Sequence, residues 1–196
     1  MARVEPLRRE DLTEFDEAFA LTEQFMGFVP NSMPTMARVP GLLPAFQQLA
    51  GNVMLNGLVE PELVQLVALA SSMGSGCRYC QAHTSHSAHR LGASEEKLAS
   101  VWTFETSEHL SDAERAAIRI GFKAGQTPNA VTDDDIAAAK EHFDDDQIAA
   151  IVAAVALFGY LNRWNDTMAT TLEPEPLAFA SEHLTARGWD AGKHST

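Results

Sequence analysis

The chain has 196 residues, 45% of them hydrophobic, and a formal net charge of −13 at pH 7. These values predict one globular domain over residues 1–196, because a chain of this length and apolar content can bury a substantial core. The acidic surface repels phosphate groups, so we expect neither nucleic acid nor a membrane as a partner. The first residues contain no apolar segment of a secretory signal, and we therefore expect a cytoplasmic protein.

Helix-favouring residues recur at helical spacing along the chain, whereas the alternation typical of strands is rare. The predicted helices, in chain order, cover about residues 8–26, a short segment before Pro40, 41–55, 60–72, a segment that starts after Gly74-Ser75-Gly76 and ends near Leu91, a short segment capped by Ser94, two segments that begin at the capping boxes of Ser111 and Thr132, 146–168 and 177–187. The tail from Asp190 is predicted to be frayed. The sequence therefore predicts an all-α fold.

The longest apolar run is Ile148–Leu161. It is shorter than the ~20 residues that a helix needs to cross a bilayer, so it indicates a buried helix. Because the run is apolar all round, we expect it within the core or at a subunit interface, and an oligomer is plausible on this ground.

Residues 62–83 and 147–168 align with each other without gaps, which indicates an internally duplicated helical unit. Gly74 pairs with Gly159, and Arg78 pairs with Arg163. Further pairs in this register are Leu63 with Ile148, Tyr79 with Trp164, Cys77 with Asn162 and Cys80 with Asn165. One copy would then carry thiols and the other amides. The alternative is a chance similarity between two alanine-rich helices.

Cys77 and Cys80 are the only cysteines, and they form a CxxC pair. The preceding glycine-rich break predicts that the pair lies at a helix N-terminus, where unpaired N–H groups stabilise a thiolate. One helical turn also brings the two sulfurs within bonding distance. The pattern favours redox chemistry; two buried structural thiols are the alternative. Tyr79, between the cysteines, is predicted to be a packing residue.

His83 follows Cys80 by three residues, so we expect it to reach the sulfur as a proton donor or acceptor. His86 continues the same row of the helix and is a second candidate. We expect no metal here, because a continuous helix separates Cys77 and His86 by ~13 Å along its axis, and four zinc ligands must converge.

The segment Gly76-Cys77-Arg78-Tyr79-Cys80-Gln81-Ala82-His83, followed by Leu91-Gly92, resembles the carboxymuconolactone decarboxylase family, and within it the AhpD-like alkylhydroperoxidase branch. The resemblance implies an AhpD-like all-α fold that assembles into trimers or hexamers. It also implies a thiol-dependent peroxidase or disulfide reductase without metal or other cofactor. Cys80 would be oxidised by the peroxide, Cys77 would resolve it as a disulfide, and a dithiol such as a lipoyl group would reduce that disulfide.

Two positions depart from the family pattern. The relay glutamate that the family carries twelve residues before the first cysteine is Gln65 here, which cannot take a proton. Glu62, one turn earlier, is a candidate substitute. The family histidine follows the second cysteine by four residues, where this chain has Thr84, so His83 comes one residue early.

These departures keep two other functions open. A lyase of the carboxymuconolactone decarboxylase type would need no thiols, so the CxxC pair weighs against it. A redox-sensing or structural helical oligomer without turnover is the other alternative, and the loss of the relay glutamate at Gln65 is its main support.

Overall fold

The computed structural model describes residues 2–195, and the regular elements in this part of the chain are all helical. The α-helices are α1 (Asp16–Met26), α2 (Ser32–Met36), α3 (Leu42–Met54), α4 (Pro61–Ser75), α5 (Arg78–Arg90), α6 (Glu95–Ser100), α7 (Asp112–Gly125), α8 (Asp133–Lys140), α9 (Asp145–Met168) and α10 (Pro174–His183). Short 3₁₀ turns lie at Arg9–Asp11, Thr13–Phe15, Val101–Thr103, Thr185–Arg187 and Gly192–His194. The predicted all-α fold is confirmed.

The central helix is α4, which is packed by α5, α7 and α9. Its residues from Leu63 to Ser72 are buried except for Gln65. Helix α7 approaches α4 closely because glycines form the contact: a Cβ at Gly121 would lie 2.6 Å from the Val67 carbonyl oxygen. Gly74 of α4 likewise leaves no room for a Cβ beside the backbone of Phe122. This tight packing fixes the end of α4, from which the cysteine pair follows.

Two predicted helices differ from the structure at their N-terminal ends. Helix α1 begins at Asp16 rather than at residue 8, because Leu12 leaves helical geometry (φ −124°, ψ 26°) and buries its side chain in the core. Helix α10 begins at Pro174 rather than at residue 177. Proline is well tolerated at the first position of a helix, where its missing N–H is not needed.

The tail from Asp190, predicted to be frayed, is instead docked on the domain. His194 is fully buried, and its carbonyl accepts a hydrogen bond of 2.9 Å from the Leu172 N–H. The buried Trp189 donates from its indole N–H to the carbonyl of Arg78, 3.1 Å away. The prediction was wrong because both side chains are buried by contacts with distant parts of the chain. Trp189 bonds to Arg78 and His194 to Thr170, and the composition of the tail does not indicate such contacts.

Helix α9 lies with one face in the core, against α3, α4, α5 and α7. Its opposite face is not buried, and Val152 is 46% exposed. By length and composition alone α9 could cross a membrane, but a core helix of a globular protein passes the same test. The apolar run Ile148–Leu161 therefore belongs to a core helix that is covered on one side.

Candidate active site

The two cysteines lie where α4 ends and α5 begins. Gly76 ends α4 in a left-handed conformation (φ 75°, ψ 13°), which glycine adopts without steric cost. The N–H groups of Gly76 and Cys77 bond back to the last turn of α4. Cys77 then has an extended backbone and is the N-cap of α5. The prediction that a helix begins at the cysteine pair is confirmed.

Both thiols are free and buried, with Cys77 0% and Cys80 2% exposed. The hydrogen bond from the Cys80 thiol lowers the pKa of Cys77, and this outweighs burial, which raises it. Burial, followed by the same hydrogen bond, raises the pKa of Cys80 well above its ordinary value. The pair is therefore asymmetric, and Cys77 ionises more readily.

Asparagines of α9 line the other side of the cysteine pair. The side-chain amide of Asn165 donates to the Cys80 sulfur over 3.5 Å, and this contact favours the thiolate of Cys80. The amide of Asn162 donates to the hydroxyl of Ser75 over 3.2 Å. Both asparagines are buried, so α9 presents polar donors to the end of α4 and the start of α5.

His83 binds a carboxylate that the sequence did not indicate. Its Nε2 lies 2.6 Å from a carboxylate oxygen of Glu173, and both side chains are buried. Its ring stacks on that of Tyr79 with 4.2 Å between centroids. Among the hydrogen bonds of residues 2–195, none joins His83 to a sulfur, so the expected direct contact with Cys80 is not present in this structure.

Glu173 is the hub of this group. Its second oxygen accepts from the hydroxyl of Tyr79 at 2.7 Å and from the backbone N–H of Asn31 at 2.5 Å. Burial raises the pKa of Glu173, but the charge and hydrogen bond of His83 and the bonds from Asn31 and Tyr79 outweigh it, so the pKa lies below its ordinary value. A buried carboxylate is thus held ionised beside His83, which lies one helical turn after Cys80. Tyr79, predicted to be a packing residue, is also a hydrogen-bond donor.

His86 lies on the outer side of this group, half-buried among aromatic rings. Phe28 lies beside both His83 and His86, with 5.3 Å and 6.1 Å between ring centroids. Phe179 packs on His86 from the other side, at 5.6 Å. Burial and then the charge of Arg90 lower the pKa of His86, so it is neutral at pH 7. The two histidines and these rings form an aromatic surface near the thiols.

Gln65 and Glu62, the two positions of α4 considered for a proton relay, make no hydrogen bond to a cysteine or to His83 within residues 2–195. Glu62 pairs with Lys97 at 2.7 Å, and it lies near Gly92, beyond the far end of α5. That end is ~18 Å along the helix axis from the start of α5, where the thiols lie. Gln65 makes no side-chain hydrogen bond within residues 2–195. Glu62 is therefore paired away from the thiols, and the carboxylate beside His83 comes from Glu173.

A third histidine, His194, lies close to Cys77. The Cys77 sulfur, a carboxylate oxygen of Asp166 and a ring nitrogen of His194 all lie within 4.8 Å of one another. Lys193 binds the Asp166 carboxylate at 2.7 Å. The four groups considered for zinc, by contrast, do not converge: His83 faces Glu173 and His86 faces aromatic rings. Sequence reasoning missed His194 because its tail was expected to be frayed.

Comparison with known proteins gives a consistent picture. The model of the carboxymuconolactone decarboxylase family matches residues 40–121. No match is found among curated proteins. The chain is similar to the debrominase Bmp8: to the apo structure with 32% identity and TM-score 0.86, over 92% of this chain and 97% of that one. It is similar, with 31% identity and TM-score 0.87 over 93% and 97%, to a cysteine-to-alanine variant in complex with 2,3,4-tribromopyrrole.

A further structure shares the fold. It is an uncharacterized peroxidase-related protein from Ralstonia eutropha JMP134, described as an alkylhydroperoxidase AhpD core, with 23% identity and TM-score 0.77 over 89% of this chain and 94% of that chain. The fold is thus AhpD-like. The match to the family model, together with the similarity to Bmp8 over nearly the whole chain, identifies this protein as a member of the carboxymuconolactone decarboxylase family.

Proposed function

We propose that this protein is a dithiol oxidoreductase that reduces a small electrophilic substrate while Cys77 and Cys80 become a disulfide. The observation that carries the proposal is the cysteine pair itself: two free thiols at the start of α5, with a lowered pKa at Cys77 and a raised pKa at Cys80. The thiolate is the nucleophilic form, so one sulfur attacks and the other resolves.

A peroxide is the first candidate substrate. One thiolate attacks a peroxide oxygen, the O–O bond breaks, and the alcohol leaves after taking up a proton. The sulfenic acid that forms then condenses with the second thiol, which gives a disulfide and releases water. A dithiol donor, such as a lipoyl-type group, restores the two thiols and is itself oxidised to a disulfide. No metal or other cofactor is required by this cycle.

His83, Glu173 and Tyr79 are proposed to supply the proton for the leaving group. Glu173 holds the His83 ring in place through the 2.6 Å contact, and the Tyr79 hydroxyl bond orients the carboxylate. Because His83 makes no hydrogen bond to a sulfur, its proposed partner is the substrate. His86 and Phe28 would form the surface on which that substrate lies.

Reductive dehalogenation of an aromatic ring is the second candidate. It is favoured by the 31–32% identity to the debrominase Bmp8 over more than nine-tenths of both chains. A thiolate would attack the halogen atom, the ring carbon would take a proton in its place, and the second thiol would displace halide to give the disulfide. The aromatic rings of Phe28 and Phe179 near His86 suit a flat substrate.

One experiment tests both candidates. The reduced protein is incubated with dithiothreitol and either an alkyl hydroperoxide or a brominated pyrrole, and peroxide loss or bromide release is followed. We expect turnover with one substrate, and its loss in Cys77→Ser and in Cys80→Ser. Absence of turnover with both substrates and several dithiol donors would contradict the enzymatic proposal and favour a redox-sensing or structural role. Activity on a muconolactone that survives both substitutions would instead favour the lyase.

Two broader expectations belong to the same proposal. We propose that the protein acts in the cytoplasm, where dithiol donors keep such a pair reduced. We also propose a homo-oligomer, a trimer or hexamer as the family resemblance implies. The exposed apolar Val152 on the uncovered face of α9 is compatible with a subunit contact.

A further inference from the structure

The C-terminal turn brings His194 to the cysteine pair, and this histidine has no role in the reaction proposed above. His194 is fully buried, and its Nδ1 lies 2.8 Å from the carbonyl oxygen of Thr170. Since a carbonyl oxygen only accepts, Nδ1 carries a proton. In the neutral ring Nε2 is then an acceptor, and it has no hydrogen-bond partner.

The C-terminal turn holds the His194 ring beside Cys77 and Asp166. The Cys77 sulfur, an Asp166 oxygen and a His194 ring nitrogen lie within 4.8 Å of one another, and Asp166 Oδ1 is 3.7 Å from Nε2. A carboxylate oxygen accepts hydrogen bonds and a thiol donates one, so among these groups the Cys77 thiol is the donor for Nε2. A rotation of the thiol or one bridging water spans such a distance.

We propose, on the basis of the thiol chemistry proposed above, that His194 accepts the proton of Cys77 and thereby makes Cys77 the attacking sulfur. The S–H bond of Cys77 breaks and the proton binds Nε2, which leaves a thiolate and an imidazolium. Asp166 stabilises the imidazolium. Cys80 then resolves the oxidised Cys77, the reverse of the order that the family resemblance implies.

Three donors near the Cys77 sulfur favour the thiolate that this transfer forms, and they outweigh burial and the charge of Asp166, which raise the pKa of Cys77. The Cys80 thiol donates to it, and the backbone N–H groups of Cys80 and Tyr79 are directed toward it from the first turn of α5. Neither N–H makes a full capping hydrogen bond to the sulfur. Both nonetheless place a positive dipole end near the developing negative charge.

The charged and ionisable groups around His194 keep its ring neutral before the transfer. Burial lowers the pKa of His194, the Thr170 carbonyl and Asp166 raise it, and Lys193 lowers it again, so that it lies below its ordinary value. Tyr79 is a further ionisable neighbour, with 5.8 Å between ring centroids, and its raised pKa keeps it uncharged. At neutral pH the ring can therefore accept a proton.

The test measures proton transfer without any substrate. In a Cys80→Ser background, Cys77 is the only thiol, and the serine hydroxyl can still donate to it. The rate of iodoacetamide alkylation is measured against pH by mass spectrometry, with and without His194→Gln. We expect the substitution to raise the midpoint of the profile by about one pH unit and to slow alkylation below it about tenfold.

A matched control separates proton transfer from simple loosening of the tail. Trp189→Phe in the same background removes the indole hydrogen bond to Arg78 but keeps His194, so its midpoint should not move. An unchanged midpoint in His194→Gln would overturn the proposal, even if alkylation became faster at every pH. An equal shift in Trp189→Phe would also overturn it.

A second measurement covers the case in which His194→Gln does not fold. The ring protons of His194 are titrated by NMR in the unaltered sequence and in Cys77→Ser. We expect a lower midpoint in Cys77→Ser, because no thiolate then stabilises the imidazolium; identical titrations would contradict the proposal. Neither experiment involves turnover, so failure of the proposed function and failure of this inference are distinguishable.

Discussion

Residues 62–83 and 147–168 align in sequence, but they end in different structures. Both begin as buried helices, α4 and α9. The first segment is interrupted at Gly76, which has a positive φ, whereas the matching position in α9 is Leu161 and the helix continues to Met168. A single residue that can adopt left-handed geometry therefore separates a helix end from an unbroken helix.

The consequence for chemistry is visible at the paired positions. Cys77 and Cys80 lie at a new helix N-terminus, while Asn162 and Asn165 lie inside α9 and direct their amides at the first segment. Where the helix is interrupted, free N–H groups are available to an anion. Where it continues, the same positions can only supply side-chain donors. The comparison indicates that the break at Gly76, as much as the cysteines, makes the site.

Replacing the cysteines should have the largest effect. We expect Cys77→Ser or Cys80→Ser to lower turnover by at least about 10³-fold, because either substitution prevents formation of the disulfide. The matched substitution in the other segment, Asn162→Ser, should lower it far less. Steady-state rates with the substrate that the protein accepts provide the measurement. Similar losses in all three variants would mean that the segments do not differ in role.

The two aligned glycines should differ in their effect on stability. Gly74→Ala forces a Cβ against the backbone of Phe122 and should lower the free energy of unfolding by about 3 kcal/mol. At Gly159 the nearest atom to an added Cβ is 3.5 Å away, on the flexible side chain of Arg163, so Gly159→Ala should raise it by up to about 1 kcal/mol. Urea unfolding of both variants checks this, and equal changes would contradict it.

The Glu173 carboxylate beside His83 should affect both the turnover rate and the pH dependence of stability. In the other segment the position that matches His83 is Met168, which has no such partner role. We expect Glu173→Gln to lower turnover about a hundredfold, and Glu175→Gln, an exposed control on the same helix, to leave it unchanged. The pKa of Glu173 is lower in the folded protein than in the unfolded chain. The contribution of the ionised carboxylate to the free energy of unfolding is therefore complete above the ordinary glutamate pKa of about 4.3, and it is lost as the pH falls through the lower folded value.

Urea unfolding at several pH values tests this pH dependence of stability, with Glu173→Gln as the variant and Glu175→Gln as the control. The difference in free energy of unfolding between the unaltered protein and Glu173→Gln should be largest near pH 7 and should shrink below the ordinary glutamate pKa. A difference that stays constant with pH would show that the Glu173 carboxylate is not held ionised by its neighbours.

The smallest expected effect concerns the amide of α9 that contacts a sulfur. Asn165→Ala removes a donor that favours the Cys80 thiolate, so the pKa of Cys80 should rise further. In a Cys77→Ser background, we expect alkylation of Cys80 at pH 8 to slow about threefold, which corresponds to the loss of a weak hydrogen bond. Asn162→Ala should not change this rate, because Asn162 contacts Ser75 instead. Equal rates in all variants would refute the assigned contact.

Local patterns were enough to predict the helical fold and the position of the cysteine pair. The glycine-rich break before Cys77 indicated a helix N-terminus, and Gly76 is indeed the residue that ends α4. The capping boxes at Ser111 and Thr132 are both formed. These features depend on residues a few positions apart, whose interactions are determined by helix geometry alone.

The partners of the site could not be predicted, because they come from distant parts of the chain. Glu173 contacts a histidine that precedes it by 90 residues, and nothing in its local sequence distinguishes it from Glu175. His194 belongs to a tail of polar and small residues, and only its packing beside Thr170 shows that it is buried. For the same reason the sequence did not show that Glu62, the candidate substitute for the relay glutamate, would bind Lys97.

The most direct test of the account is whether the two sulfurs form a bond with each other. The reduced protein is treated with stoichiometric hydroperoxide or brominated pyrrole, unfolded in the presence of an alkylating reagent, digested and examined by mass spectrometry. We predict a peptide containing Cys77 and Cys80 that is lighter by two hydrogen atoms and carries no alkyl group. Recovery of both cysteines in alkylated form, or only of disulfides between separate chains, would contradict the central claim.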